Sequence, residues 1–306
     1  MGSQMSCWRE FSPEAEDSIE AFHPKRIIKT ESTFKGLIKI QAVWRGYSVR
    51  KPGSFVKLPK FESNQCSKIE LKLGPFKFPK IPPIQGTYNP KPIKFNDESI
   101  YLGEWKNHLR QGKGVQVWKN GSKYVGYWIN DKQHFLGRMI HSNGDCYEGE
   151  WKDGKAHGAG KFMHYEGAMY EGSWNNDTQQ GQGKELWPDG ARYEGEYFEG
   201  KKHGYGEFFW SDGSYYKGFF TNNNIEGKGA YYWADGKVYT GSWVNNQMQG
   251  SGNFEWPDGR RYSGQYFKDK MHGEGILTFP DGRRVIGTWI NGELQKNSSI
   301  KPEQKS

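Results

Sequence analysis

Between Tyr101 and Trp289 the chain alternates apolar and polar positions in short runs, and the alternation returns every 23 residues. Tyrosines open the runs at Tyr101, Tyr124, Tyr147, Tyr170, Tyr193, Tyr216, Tyr239 and Tyr262, with Val285 in the ninth place. Within one period, Tyr193-Glu-Gly-Glu-Tyr-Phe198 alternates in steps of two, Glu199 to Lys202 form a polar, glycine-containing turn, and His203 to Trp210 form a second aromatic run before Ser211-Asp212-Gly213. Alternation of this kind predicts two strands joined as a β-hairpin. A strict period of this length predicts an array of small stacked units in place of one globular core.

Two details refine the hairpin. Asp-Gly or Asn-Gly closes most units (Asn120-Gly121, Asn143-Gly144, Asp189-Gly190, Asp212-Gly213, Asp235-Gly236, Asp258-Gly259, Asp281-Gly282). Such pairs accept the positive φ of a tight turn at little cost. Gly103, Gly149, Gly172, Gly195 and Gly241 stand mid-strand between aromatic residues. Glycine weakens a strand unless another group must lie close over the backbone. The large rings are the natural occupants, so rings of one unit are expected to lie over the bare backbone of the next.

The motif Tyr-x-Gly-x-Trp, followed by Gly-x-Gly and Asp-Gly, resembles the MORN repeat (membrane occupation and recognition nexus). Eight full copies and a ninth partial one cover residues 101–292. The resemblance implies an all-β fold: an elongated, single-layer antiparallel hairpin array, on the order of 80 Å long at ~4.8 Å per strand. Tyr197, Phe220 and Tyr266 take tryptophan's place, Phe135 replaces the first glycine of a Gly-x-Gly pair, and Glu166-Gly167 replaces Asp-Gly. The last two predict a local distortion between Phe135 and Gly167.

Composition fits a one-layer array, with 16% aromatic residues, 41 glycines and 34% hydrophobic content overall. Stacked repeats bury their rings only against neighbours. The three cysteines, Cys7, Cys66 and Cys146, form no disulfide framework, which fits an intracellular compartment. The net charge of +8 is unevenly spread: residues 100–292 are neutral, and residues 1–99 carry +7. The basic arm points to an acidic partner. Nucleic acid is not expected, because basic and aromatic residues are not interleaved as in a binding module.

Five segments follow: a flexible start (1–31), a helix (32–51), an extended Pro/Lys-rich strap (52–98), the repeats (99–292) and a disordered tail (293–306). Met1-Gly-Ser-Gln-Met-Ser6 fits the N-myristoylation pattern on Gly2, and Cys7 is placed for a second acyl chain. In the helix, Leu37, Ile40, Trp44 and Tyr47 share one face among basic residues, the kind of segment a calmodulin-like protein wraps. Ile40-Gln41-x-x-x-Arg45-Gly46-x-x-x-Arg50 resembles the core of the IQ motif. That resemblance implies binding of calmodulin, centrin or a related light chain through Ile40, Gln41, Trp44, Arg45, Gly46, Tyr47 and Arg50. An alternative is a helix packed on the repeats or lying on a membrane. The strap's Phe55, Phe61, Phe76, Phe78, Ile81, Ile84 and Tyr88 are too apolar for a pure linker, so part of it is expected to dock.

No catalytic set emerges, and no cofactor or metal is implied. His134, His157, His203 and His272 recur at one position of the repeat, one to three repeats apart, too far to share an ion. Glu148, Glu171 and Glu194 recur likewise and read as a solvated stripe. Two rows of tryptophan, Trp105, Trp128, Trp151, Trp174 and Trp243 in one and Trp118, Trp187, Trp210, Trp233 and Trp256 in the other, supply the stack, with the excess expected to line a partner-binding groove. The function read from these features is a non-enzymatic scaffold, ciliary, flagellar or cytoskeletal, that recruits a calmodulin- or centrin-like subunit. The alternatives are an acylated linker between acidic membrane lipid and the cytoskeleton, and an adaptor subunit of a separate enzyme.

Overall fold

The structure, a computed structural model, describes residues 64–79, 84–295 and 299–301. The acylation positions Gly2 and Cys7 and the IQ-like segment Ile40–Arg50 lie outside the described residues. Two compact units divide the chain, one ending at Ala234 and the other beginning at Asp235.

The first unit holds helix α1 (Asn64–Leu73) and strands β1 (Thr87–Lys94), β2 (Ile100–Lys106), β3 (Leu109–Val117), β4 (Lys123–Ile129), β5 (Lys132–Ile140), β6 (Cys146–Lys152) and β7 (Lys155–Met163). It continues through β8 (Met169–Asn175), β9 (Thr178–Leu186), β10 (Arg192–Phe198), β11 (Lys201–Phe209), β12 (Tyr215–Thr221) and β13 (Asn224–Tyr232). Each strand pairs antiparallel with the next. The second unit repeats the pattern in β14 (Val238–Val244), β15 (Gln247–Glu255), β16 (Arg261–Phe267), β17 (Lys270–Thr278) and β18 (Arg284–Ile290).

Every lead tyrosine from Tyr101 to Tyr262 is wholly buried. Tyr101, Tyr124, Tyr147, Tyr170, Tyr193, Tyr239 and Tyr262 each stand edge-on to two rings. Tyr124 meets Trp128 of its own repeat at 5.1 Å and Trp151 of the next at 5.3 Å. Tyr170 contacts Trp174 and Tyr197 in the same way, and Tyr193 contacts Tyr197 and Phe220. In the second unit Tyr262 lies between Tyr266 and Trp289. Edge-to-face pairs at this spacing are favoured by the ring quadrupoles. Tyrosine and phenylalanine therefore serve in tryptophan's place without a break in the stack.

The glycines answer to their own tyrosine, which corrects the expectation that the ring covers the next unit. Gly195 pairs across β10 and β11 with Gly206. A Cβ at Gly195 would sit 2.5 Å from the Gly206 Cα and 2.5 Å from the Tyr193 Oη, so the ring closes over the glycine pair of its own hairpin. The Tyr193 hydroxyl then donates to the Glu196 carbonyl at 3.0 Å, and the bond recurs from Tyr101 to Tyr262. Contact with the next unit is ring against ring.

Two kinds of turn alternate. The two-residue turn inside each hairpin has positive φ at both residues, as at Asn130 (46°) and Asp131 (66°), the twist that suits a tight hairpin. Between hairpins, Trp187 N–H donates to the Ala191 carbonyl, and only Gly190 of the Asp-Gly pair has positive φ (89°). The expected distortion near Phe135 is absent. Phe135 takes the left-handed φ of the glycine it replaces (56°) and pairs with Trp151 as Gly112 pairs with Trp128. Gly167 N–H donates to the His164 carbonyl as Gly190 N–H does to that of Trp187.

Beyond the repeats two expectations change. The strap is not uniformly extended: residues 64–73 form α1, and β1 adds a strand to the sheet ahead of the first repeat. Pro90 and Pro92 lie in that strand, the outermost among the described residues, where the absence of an N–H blunts an otherwise adhesive edge. The tail also returns to the sheet. Strands β19 (Glu293–Leu294) and β20 (Ser299–Lys301) both pair with β18.

The glycine packing is testable by melting. Gly195→Ala places a methyl group against backbone and ring, and is expected to destabilise the protein by about 2–3 kcal/mol, within the range for overpacking. Gly213→Ala, at a positive-φ turn with nothing within 4 Å of its Cβ, is expected to lose about 1 kcal/mol. A loss at Gly195 no larger than that at Gly213 would show that ring and strand do not close over it.

Candidate protein-binding face

Within each unit, lead tyrosines, paired glycines and the tryptophans of the first row share one face of the sheet, the ring face. Trp128, Trp151, Trp174 and Trp243 are at most 3% exposed there. They are not groove surface, which corrects that part of the expected site, because both sides of each ring are consumed by the stack. Trp105 is half-buried and tilted on Phe95 at 6.3 Å. Trp187, Trp210, Trp233 and Trp256 are half-buried at the inter-hairpin turns, leaning on Phe208, Tyr231 and Phe254 at 4.5–5.3 Å. The ring face also conceals an ion pair that the sequence did not announce. Lys202 Nζ lies 2.6 Å from a Glu185 carboxylate that also accepts from Tyr197, with Trp187 4.8 Å from the ammonium.

The opposite face, formed by the residues between, has a charged midline. Arg138 pairs with Glu148 (2.7 Å), Lys161 with Glu171 (3.2 Å), Lys184 with Glu194 (2.8 Å) and Lys217 with Glu207 (3.1 Å). The recurring glutamates are thus matched across strands, and the hydrogen bond to Glu207 raises the Lys217 pKa above its ordinary value. Exposed pairs of this kind add little stability but keep the face polar and in register.

Over the early repeats this face is covered by the chain itself. Cys66 of α1 joins Ile140 and Cys146 in a buried cluster flanked by Ile69, Leu73 and Met163. Glu70 pairs with the buried Lys123, whose pKa burial pulls down against that partner, and burial pushes the Cys146 thiol up. Arg138 donates to the Gly74 carbonyl at 2.6 Å, and Phe76 and Phe78 meet edge-on at 5.2 Å. Phe78 stands edge-on to Tyr127 at 5.4 Å, and the Tyr127 hydroxyl donates to the Pro79 carbonyl at 2.6 Å. The expected docking of the strap is realised on the repeats.

Further along the same face, Phe198, Tyr205 and Phe219 are 48–49% exposed. Tyr205 and Phe219 are paired residues on β11 and β12, with rings 5.8 Å apart at 81°. Phe198 leans on His203 at 5.7 Å. Half-buried Phe209, Tyr215 and Tyr232 extend the cluster, and the Arg192 guanidinium lies 3.7 Å from the Phe209 ring centre. Exposed rings gathered with arginine have the composition of an interface centre. Sequence reading assigned binding to the tryptophan rows and missed these residues. Their signal was parity: Phe198 and Phe219 fall five and three residues after a lead tyrosine, odd steps that place them opposite the stack.

Among the described residues no group of three or more His, Cys, Asp or Glu side chains could hold a metal ion, and no helix is long and apolar enough to cross a membrane.

Comparison with curated protein sequences found no match. Among solved structures, the TCP10 domain of Danio rerio CPAP is similar at 11% identity, over 71% of this chain and 100% of that one, with a TM-score of 0.28. The SAS-4 (dCPAP) TCP domain of Drosophila melanogaster, in complex with a proline-rich motif of Ana2 (dSTIL), is 13% identical over 69% of this chain and 99% of that one, with a TM-score of 0.26. The family model described as MORN repeat matches residues 101–123, 124–146, 147–169, 170–192, 193–215, 216–238, 239–260 and 262–283. Eight matches, in the phase of the hairpins and covering more than half of the sequence, establish that the chain belongs to the MORN-repeat family, a family of binding repeats.

Proposed function

We propose that this protein is a non-enzymatic scaffold of ciliary or other cytoskeletal structures. In this reading the uncovered aromatic face holds one protein and the IQ-like segment recruits a calmodulin- or centrin-like subunit. The observation that carries the reading is the contrast between the two faces: one spends its rings on the stack, and the other leaves Phe198, Tyr205 and Phe219 about half exposed amid matched charges. A buried core does not need those rings, so their use lies outside the fold. Support for the second subunit is the spacing of Ile40, Gln41, Arg45 and Arg50.

A second reading has its own observation. Gly2 in a myristoylation pattern beside Cys7, ahead of an arm of charge +7, suits an acylated linker to acidic phospholipid. Retention of the protein on a detergent-extracted cytoskeleton supports the scaffold. Release into detergent that Gly2→Ala converts to a soluble pool supports the linker.

Two outcomes are expected of mutants. Ile40→Ala with Arg45→Ala is expected to abolish calmodulin-class binding, measured by titration with calmodulin and centrin with and without calcium, at unchanged melting temperature. Survival of binding rejects the IQ assignment. Phe198→Ser with Phe219→Ser is expected to remove most partners identified by quantitative proximity labelling, while melting changes by less than about 1 kcal/mol because both rings are half exposed. An unchanged partner set rejects the aromatic face as the binding surface.

A further inference from the structure

The strap shows what this face accepts. Phe78 and Pro79 sit on the cross-strand pair Lys113 and Tyr127, with Phe78 edge-on to Tyr127 and the Lys113 ammonium 5.4 Å from the Phe78 ring centre. Beneath the strap Tyr127 is only 3% exposed. Four repeats on, the equivalent pair is Tyr205 and Phe219, in the same antiparallel register. The intervening repeats of this unit hold Leu136 with Glu150, Ala159 with Ser173, and Gln182 with Glu196 at these positions. A ring third after the lead tyrosine thus occurs in this unit at the slot the strap fills and at one slot it leaves open.

We propose that the Tyr205–Phe219 slot binds an extended segment of another protein that carries a ring–proline pair between lysines, in the manner of Phe76-Lys-Phe-Pro-Lys80. This deepens the aromatic-face assignment above and rests on it. The strap of the same copy cannot serve, since it is fixed at Tyr127, eight strands or ~38 Å away. The slot fits such a segment chemically. The two rings, already 5.8 Å apart and near perpendicular, offer faces and edges to an aromatic side chain. A proline-bearing segment arrives already extended and loses little conformational freedom. On this face Glu194 is paired with Lys184 and Glu207 with Lys217, while Glu196, whose carboxylate accepts from the Tyr205 N–H, borders the slot and is the acidic group offered to a lysine of the segment.

The test uses the full-length protein and a synthetic peptide of residues 74–84, fluorescently labelled, with a photo-crosslinking phenylalanine analogue at the Phe78 position in a parallel sample. Saturable binding is expected, with crosslinks on β11 and β12. Phe219→Ser, or Phe78→Ala in the peptide, is expected to weaken binding at least tenfold, and Phe219→Tyr to retain it. Crosslinks on β3–β5 would mean that the peptide merely exchanges with the strap, and would overturn the proposal. So would binding indifferent to Phe219→Ser, or no binding above a scrambled peptide. Sedimentation velocity guards the last alternative: a dimer lost in Phe219→Ser would assign the slot to a second copy and overturn the proposal. If the peptide fails but Phe198→Ser with Phe219→Ser still removes labelled partners, the face stands and the ligand chemistry falls. If neither responds, both fall.

Discussion

The closure of each lead tyrosine over a pair of glycines is the constraint on which the rest of the structure depends. A single-layer sheet has no second layer to bury its apolar side chains, so its rings must lie flat enough to cover one another. Tyr193 manages this only because Gly195 and Gly206 leave the backbone bare beneath it, to the point that a single methyl group would clash with both ring and strand. With the ring lowered, its hydroxyl reaches the carbonyl three residues on, and its flanks meet one ring from its own repeat and one from the next. Strand pairing, ring stacking and hydroxyl satisfaction thus depend on the same two glycines. That dependence explains a period without insertions: a residue added between tyrosine and glycine would reverse the parity of every residue behind it.

The hairpins, their phase and the ring–glycine partnership were legible in the sequence because period and parity are local properties. What escaped it were choices between neighbours that look alike in one dimension. Whether Tyr193 covers the glycines of its own hairpin or those of the next depends on strand register, which spacing alone leaves open. Phe135 looked like a fault because a side chain at positive φ is uncommon. The flanking register is held by the rest of the ladder, and the backbone keeps its path. The tryptophan rows suggest a groove in sequence because abundance does not reveal exposure. Trp128 and Trp151 are instead almost wholly buried, and the available aromatics stand at odd steps where smaller or charged residues are the rule. The strap's docking followed from its apolar content, but α1 did not, because its ten residues interrupt a stretch whose prolines and lysines read as extended.

The two faces divide the tasks of the molecule. The ring face makes the fold, and its side chains are too confined to vary without loss. The opposite face carries little of the stability, so its composition is free to change from repeat to repeat, and it does. It is apolar and covered by α1 and the strap over the early repeats, a ladder of matched charges in the middle, and aromatic and open at β10–β13. Variation along an otherwise invariant array is the pattern expected where one surface is kept for structure and the other is differentiated for recognition. In a solenoid this arrangement lets one fold address several partners at set spacings.

Self-coverage gives that argument a further step. A chain that seats its own Phe-Pro segment on Tyr127 removes a ring-bearing slot from competition, and the burial of Tyr127 to 3% measures how completely. The equivalent slot at Phe219 is chemically similar, with a second ring in place of Lys113, yet remains half exposed. Had both slots been open, two sites of like chemistry would have stood about 38 Å apart and bound the same segments without distinction. If the open slot binds as proposed, occupation of the first by the strap leaves one such slot on this unit, and specificity of position is gained without any change in the repeat itself.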